Sequence, residues 1–193
     1  MLDCAVLIPE YAAGAGMLSE TMGWPQIIAL LVLLQRGAEE LYSARNTTRL
    51  IAAGGQEAGG SYYPVVATTH LAWIAGLFFL IPADAPVSMF LAACYALLTA
   101  ARYWVIGTLG RFWTHRIITL KGAPIVRSGP YALVRHPNYV VTIAETFLLP
   151  AVFGAWALAF IMTAVWAVVL RYKIELEDAA LASRRHPHVE PAV

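Results

Sequence analysis

Charge is what this chain has least of. Only 13% of its 193 residues are Asp, Glu, Lys or Arg, against 60% hydrophobic, where a soluble domain carries roughly a quarter charged and about half apolar residues. A chain this short cannot hide so much apolar surface in one interior. The surplus must face lipid, and an ordinary soluble domain is excluded. Cysteine is nearly absent too. Cys4 and Cys94 stand far apart, which rules out a disulfide framework and offers no metal-ligand spacing. Residues 1–23 hold no Lys or Arg, so the basic n-region of a cleavable signal is missing and the stretch reads as a short tail or interfacial segment. There is no strand, glycine-rich turn and helix in succession, hence no dinucleotide-binding unit. Internal repeats and low-complexity linkers are also lacking. No nucleic-acid partner is expected.

What is present is apolar helix. The pattern predicts an all-α integral membrane fold with five spans in one domain, at about 24–42, 62–81, 86–109, 138–149 and 155–172. The block Val140 to Tyr172 is too long for one span at about 1.5 Å per residue and short for two. Pro150 and Phe153-Gly154 divide it, so the last two helices are expected to form a hairpin. Arg45 and Arg49 follow the first span. Arg111, Arg116, Lys121, Arg127 and Arg135 lie between the third and fourth, and Lys173, Arg184 and Arg185 follow the fifth. Asp3, Glu10, Glu20 and Asp84 fall on the other side. The positive-inside rule then places the N-terminus outside, with the basic loops and the C-terminus in the cytoplasm. Between the third and fourth spans, Thr114–Leu120, a turn at Lys121-Gly122 and a return through Ala123–Arg127 predict a short ordered loop or β-hairpin.

The stretch GPYALVRHPNYVVTIAE, Gly129 to Glu145, carries the chemistry. Ser128-Gly129-Pro130-Tyr131 reads as a turn. Pro137 suits the first turn of a helix, with His136 or a neighbour as its cap. That helix end points unpaired N–H groups at the membrane boundary, a natural seat for an anion. Taken singly, Arg-His and the tyrosines are ordinary interfacial anchors. Their order and spacing at the mouth of a span are not ordinary.

The segment GAPIVRSGPYALVRHPNY, followed by a helical hairpin and KIELEDAAL, resembles the isoprenylcysteine carboxyl methyltransferase family over about Arg111 to Leu181, and more loosely over the first three spans. RNTTRLIAAGG and RYWVIGTLGRFWTHRIITL are similar to a bacterial branch linked to methylation of alkylpyrones and alkylresorcinols. The resemblance implies S-adenosylmethionine as methyl donor, bound in a cytoplasmic pocket. Its contacts would be Ala123, Pro124, Ile125 and Val126, largely through backbone, with Tyr131, His136, Pro137, Asn138 and Tyr139, and Arg116 is counted with them. Glu177 would hold the cofactor's ammonium. The family's acceptor-facing arginine is Lys173 here, so Arg171 is expected to supply a fork if one is needed. Lys173 and Glu177, four residues apart, are expected to share a helix face and pair.

Three ionisable residues fall inside spans: His70, Arg102 and Glu145. A neutral His70 bonded to a backbone carbonyl is the plain expectation; Arg102 could snorkel or pair with an acid from another helix. Asn138, Thr142 and Glu145 share one face, which aims Glu145 into the bundle about 10 Å deeper than His136. Glu145 is either a partner of Arg102 or a base toward an enolic or phenolic acceptor; a carboxylate acceptor, already ionised, needs none. The expected reaction is methyl transfer to an oxygen of a lipophilic acceptor entering from the bilayer, with membrane lipid as surroundings and no metal. The rival readings are an NADPH-dependent sterol-type reductase, a phospholipid N-methyltransferase and a non-catalytic membrane scaffold.

Overall fold

The computed structural model describes residues 22–123 and 126–185. Residues 1–21, Pro124, Ile125 and those beyond Arg185 lie outside it, and with them the expected N-terminal tail and two expected cofactor contacts. Among the described residues the order is α1 (Trp24–Ala52), β1 (Gln56–Ala58), α2 (Tyr63–Leu80), α3 (Met89–Leu109), β2 (Ile117–Thr119), α4 (Pro130–Leu133), α5 (Pro137–Val152) and α6 (Trp156–Arg185). Single 3-10 turns, Gly60–Tyr62 and Gly110–Phe112, lead into α2 and prolong α3.

Hydrogen bonds at the two ends of the bundle set its up-and-down course. At one end Gln26 accepts from the Gly23 N–H at 3.0 Å and donates to the Phe78 and Ile81 carbonyls at 3.0 and 2.8 Å, tying the start of α1 to the end of α2. The contact is so close that a Cβ on Gly23 would sit 1.8 Å from the Ala83 carbonyl oxygen. At the same end the Ser88 N–H meets the Val152 carbonyl at 2.8 Å, which joins the start of α3 to the end of α5. At the far end the Tyr62 hydroxyl donates to Val169 of α6 at 2.7 Å. There β1 and β2 also pair antiparallel, Gln56 opposite Thr119.

Packing is apolar near the Gln26 end, where Ala29, Val32, Trp73, Leu77, Leu149 and Val152 share one buried cluster. A second cluster, Val66, Tyr139, Trp166, Val169 and Leu170, joins α2, α5 and α6 nearer the sheet. Outward faces are apolar as well: Leu34, Phe79, Phe90, Leu97 and Val168 are each at least 70% exposed, a surface suited to acyl chains and not to water. Gly60–Leu80, Met89–Phe112 and Trp156–Ala182 are long and apolar enough to cross a membrane. α5, with 16 residues, reaches about 24 Å, less than the roughly 30 Å hydrocarbon core. α1 has the length but carries Arg36, Glu39 and Glu40 within it.

Several boundaries differ from the sequence expectations. α1 runs ten residues past 42, so Arg45 and Arg49 lie on the helix. α6 continues well past 172 and carries Glu177. In both, helix geometry persists after hydropathy has ended. α3 begins at Met89, capped by Ser88, and not at 86. Among the described residues no hairpin forms between the third and fourth long helices: β2 pairs with β1, some sixty residues back, and Ala123, Val126 and Arg127 are not strand. Pro150 does not end α5. It sits in the last turn, and the Thr146 carbonyl, which loses its usual donor to the proline, accepts instead from Trp73 Nε1 at 3.2 Å. The chain turns just after, where Gly154 takes φ +72°.

Candidate functional site

α5 starts where the sequence places its start. His136 occupies the N-cap position and Pro137 the first turn, but the His136 side chain makes no capping bond. The ring turns to α6 instead: Nδ1 lies 3.2 Å from Glu177 Oε2, and Nε2 lies 3.9 Å from Asp178 Oδ1. The same ring stacks on Tyr139 with centroids 5.3 Å apart and planes within 11°, and the Tyr139 hydroxyl bonds Glu177. α4 brings Tyr131 beside this group, where burial and the Glu177 carboxylate push its phenol well above the usual tyrosine range. Gly129, at φ +53°, makes that turn possible. A Cβ there would be strained and would meet Thr108 Oγ1 at 3.0 Å. Two buried atoms at the start of α5, His136 Nε2 and Asn138 Oδ1, have no hydrogen-bond partner.

Lys173 belongs to the same corner but does not bridge to Glu177 as expected. Its ammonium donates to the His115 carbonyl at 2.8 Å and lies 5.4 Å from the centre of the Tyr139 ring. Arg116 pairs with Glu57 at 3.1 Å and covers Tyr63 at 4.7 Å, on the sheet and not on His136. Ala123 closes the Lys121-Gly122 turn through its N–H to the Leu120 carbonyl at 3.2 Å. Val126 is half-buried and Pro137 buried. Arg171 is 84% exposed and pairs with Glu175 at 3.3 Å, on the rim of a cavity of about 640 Å³ that Tyr139, Ile143 and Leu170 line between α5 and α6.

Deeper in the bundle Glu145 meets two arginines. Its Oε2 accepts from Arg36 Nη2 at 2.6 Å and Arg102 Nη1 at 3.3 Å. Arg102 also grips Glu39 through Nε and Nη2 at 2.8 and 2.6 Å. Arg36 closes the ring to Glu39 at 2.9 Å, and Thr142 accepts from Arg102 at 3.3 Å. Two cations and two anions thus form one neutral group, none of them more than 9% exposed. It staples α1, α3 and α5 together. The expected Arg102–Glu145 contact exists, and Arg102 does not snorkel. The share of Arg36 and Glu39 was not legible, because an Arg-x-x-Glu-Glu run near a span end reads equally well as an interfacial face. His70 hydrogen-bonds the Val66 backbone, the plain expectation, and meets Trp166 edge-on at 4.4 Å.

A profile of the isoprenylcysteine carboxyl methyltransferase family matches residues 90–183, the stretch that holds α3, α5, α6 and the His136–Glu177 corner. The uncharacterized protein YpbQ of Bacillus subtilis is 33% identical over 159 residues, covering 80% of this chain and 94% of that protein. The chain belongs to the isoprenylcysteine carboxyl methyltransferase family. Shorter similarities link this family member to the cobalt-zinc-cadmium resistance protein CzcN of Cupriavidus metallidurans, 34% identical over 79 residues, covering 40% of this chain and 37% of that one. The nickel-cobalt-cadmium resistance protein NccN of Alcaligenes xylosoxydans xylosoxydans is 34% identical over 97 residues, 49% and 45% of the two chains. No solved structure matches. Among the described residues no group of three or more His, Cys, Asp or Glu is placed to hold a metal ion.

Proposed function

We propose that this protein is a membrane O-methyltransferase that uses S-adenosylmethionine and acts on a lipophilic acceptor at the cytoplasmic face. The observation that carries this reading is the His136–Glu177 corner inside the family-matched segment, with His136 Nε2 and Asn138 Oδ1 buried and unpartnered beside it. Orphaned buried polar atoms are rare in folded proteins, and a polar ligand relieves them. Glu177, with Asp178 beyond it, suits an ammonium, and the stacked His136 and Tyr139 rings offer a face to a cation. The residues present fit such a donor. Tyr131 stands beside Glu177; Ala123, Val126 and Pro137 would complete the seat, and Arg116, paired with Glu57, holds the sheet.

When bound, the donor supplies an electrophilic methyl carbon, whose bond to sulfur breaks as the acceptor oxygen forms its own. The chain supplies alignment and a site shielded from water. Lys173, fixed between the His115 carbonyl and the Tyr139 ring, sets the wall between cofactor seat and acceptor. Arg171, exposed on its cavity rim, would meet an acceptor only at its outer end. Glu145 serves as counter-ion to Arg36 and Arg102.

Five crossings, with the sheet end in the cytoplasm, fit the antiparallel course of α1, α2, α3, α5 and α6 and the basic residues gathered at that end. Equilibrium binding of labelled S-adenosylmethionine to purified protein tests the function. Wild type should bind, NADPH should not compete, and Glu177→Ala should raise the dissociation constant about tenfold or more. Unchanged affinity in Glu177→Ala removes the assignment of the seat. Binding of NADPH in place of S-adenosylmethionine would turn the reading to a reductase, and binding of neither to a scaffold. Mass spectrometry of methylated lipids separates oxygen from nitrogen acceptors.

A further inference from the structure

At the sheet end of the bundle a cavity of about 530 Å³ lies between the last turn of α1, the 3-10 turn after α3 and the turn after β2. Arg49, Leu50, Arg111, Phe112, Leu120 and Lys121 line it, among others. Tyr131, His136, Tyr139 and Glu177 do not. Three cations converge on it from three segments, and its lining holds no Asp or Glu. Among the described residues no carboxylate pairs with Arg49, Arg111 or Lys121. Glu57, the acid of β1, is taken by Arg116.

A cation in the last turn of a helix is ordinary, since it meets the negative end of the dipole. That accounts for Arg49 alone. The end of α1 is also closed by its own backbone: the Arg49, Leu50 and Ile51 carbonyls accept from the N–H groups of Ala53, Gly55 and Gly54 at 3.1, 2.9 and 2.9 Å. Arg111 arrives from the turn after α3. Its guanidinium lies 5.0 Å from the centre of the Phe112 ring, a contact through the face of the group that leaves its N–H edge for an anion. Lys121 is carried by a turn that Gly122 permits at φ +79° and that the Ala123 N–H closes on the Leu120 carbonyl. Gathering three like charges costs energy that a bound anion recovers.

Depth indicates which anion. Tyr103 and Trp104 on α3 are 53% and 56% exposed, the aromatic residues that favour the edge of the hydrocarbon. Arg111 lies about 10 Å further along the chain's rise, in the headgroup layer. Leu50, Phe112 and Leu120 add an apolar wall that suits the glycerol and first acyl carbons of a lipid and gives nothing to a soluble phosphate. We propose that Arg49, Arg111 and Lys121 bind the phosphate of an anionic phospholipid of the cytoplasmic leaflet, its headgroup in this cavity and its chains in the bilayer. This site goes beyond the methyltransferase reading and does not depend on it. A lipid held there would tie α1, the end of α3 and the sheet together.

The probes are spin-labelled phosphatidylglycerol and phosphatidylcholine, each added to the full-length protein in phosphatidylcholine nanodiscs, with the immobilised fraction read by electron paramagnetic resonance. Each basic residue near an anionic headgroup is worth roughly fivefold in affinity. Wild type should immobilise one phosphatidylglycerol saturably, with a preference of about 30-fold or more over phosphatidylcholine. Arg49→Gln, Arg111→Gln and Lys121→Gln should each lower the preference about fivefold, and the triple variant should remove it. Arg45→Gln, one turn away on α1 and outside the cavity, should change it less than twofold. High salt should weaken the preference. Equal preference in wild type and the triple variant overturns the site, and so does a loss with Arg45→Gln as large as with Arg49→Gln, which would mark a diffuse basic surface. Displacement by millimolar inorganic phosphate would make the ligand a soluble phosphate and overturn the lipid. Ala123 lines this cavity and is also assigned to the methyl donor by resemblance, so S-adenosylmethionine is added as a competitor. Displacement by it would make the cavity part of the donor seat and overturn the proposal.

Discussion

At the scale of single residues, the consequential choice is the burial of four charges where hydrocarbon would pack more simply. Arg36, Glu39, Arg102 and Glu145 cancel each other, so the group costs little while complete and a great deal once broken. Removing one member strands its partners without water. Glu145→Gln should cost about 3–5 kcal/mol by thermal unfolding in detergent. Combined with Arg36→Met, the loss should be clearly smaller than the sum of the two single variants, because each single change leaves the other charge unpaired. Additive losses would mean that the 2.6 Å contact carries no coupling. Legibility at this scale was uneven. Glu145 and Arg102 stand alone in apolar runs, where an ionisable residue advertises itself. Arg36, Glu39, Glu40 and His115 sit at polar span ends, where a charge needs no special reason, and the partners that tie them to other elements lie sixty or more residues away.

Among elements, α5 concentrates the logic of the fold. Its start is legible because Gly-Pro-Tyr and Arg-His-Pro act locally, through fixed φ values and a missing N–H. Its end is not. Pro150 reads as a helix breaker, and the last turn persists with the Thr146 carbonyl taken by Trp73 Nε1 and the Val152 carbonyl by the Ser88 N–H. Trp73→Phe keeps an aromatic side chain but orphans the Thr146 carbonyl. It should lower stability by about 1–3 kcal/mol without changing donor affinity, as unfolding and binding measurements on one preparation would reveal. Gly129→Ala acts at the other end of the element. The left-handed φ and the approach to Thr108 should cost about 1–3 kcal/mol of strain. Because Gly129 orients the turn that feeds His136, donor affinity should fall along with stability. The β1–β2 ladder escaped sequence reading for a different reason: three-residue strands carry almost no periodic signal, and the nearer partner segment looked just as suitable.

For the whole molecule, the helical ends sort by chemistry. Gln26, Ser88 and the 150–155 turn close one end with uncharged hydrogen bonds. The other gathers the sheet, Arg45, Arg49, Arg111, Arg116, Lys121 and the His136–Glu177 corner. Hydropathy alone marks three crossings, since α5 is short and α1 charged, and the antiparallel packing of all five long helices is what the proposed crossings by α1 and α5 rest on. A short helix can do this where its polar ends meet protein and a locally thinned bilayer instead of bare lipid. The buried charges of α1 are no obstacle, because they face α3 and α5 and not the acyl chains. Orientation then decides the supply of donor, which is a cytoplasmic metabolite on the reading given above. With Cys4 and Cys94 replaced by serine, single cysteines at Asp84 and Gly122 should report opposite sides. In intact cells a membrane-impermeant maleimide should label Asp84→Cys and leave Gly122→Cys unreacted until the membrane is opened. Labelling of both in intact cells, or of Gly122→Cys alone, would put the His136–Glu177 corner on the side with no donor, and the five-crossing arrangement would have to be abandoned.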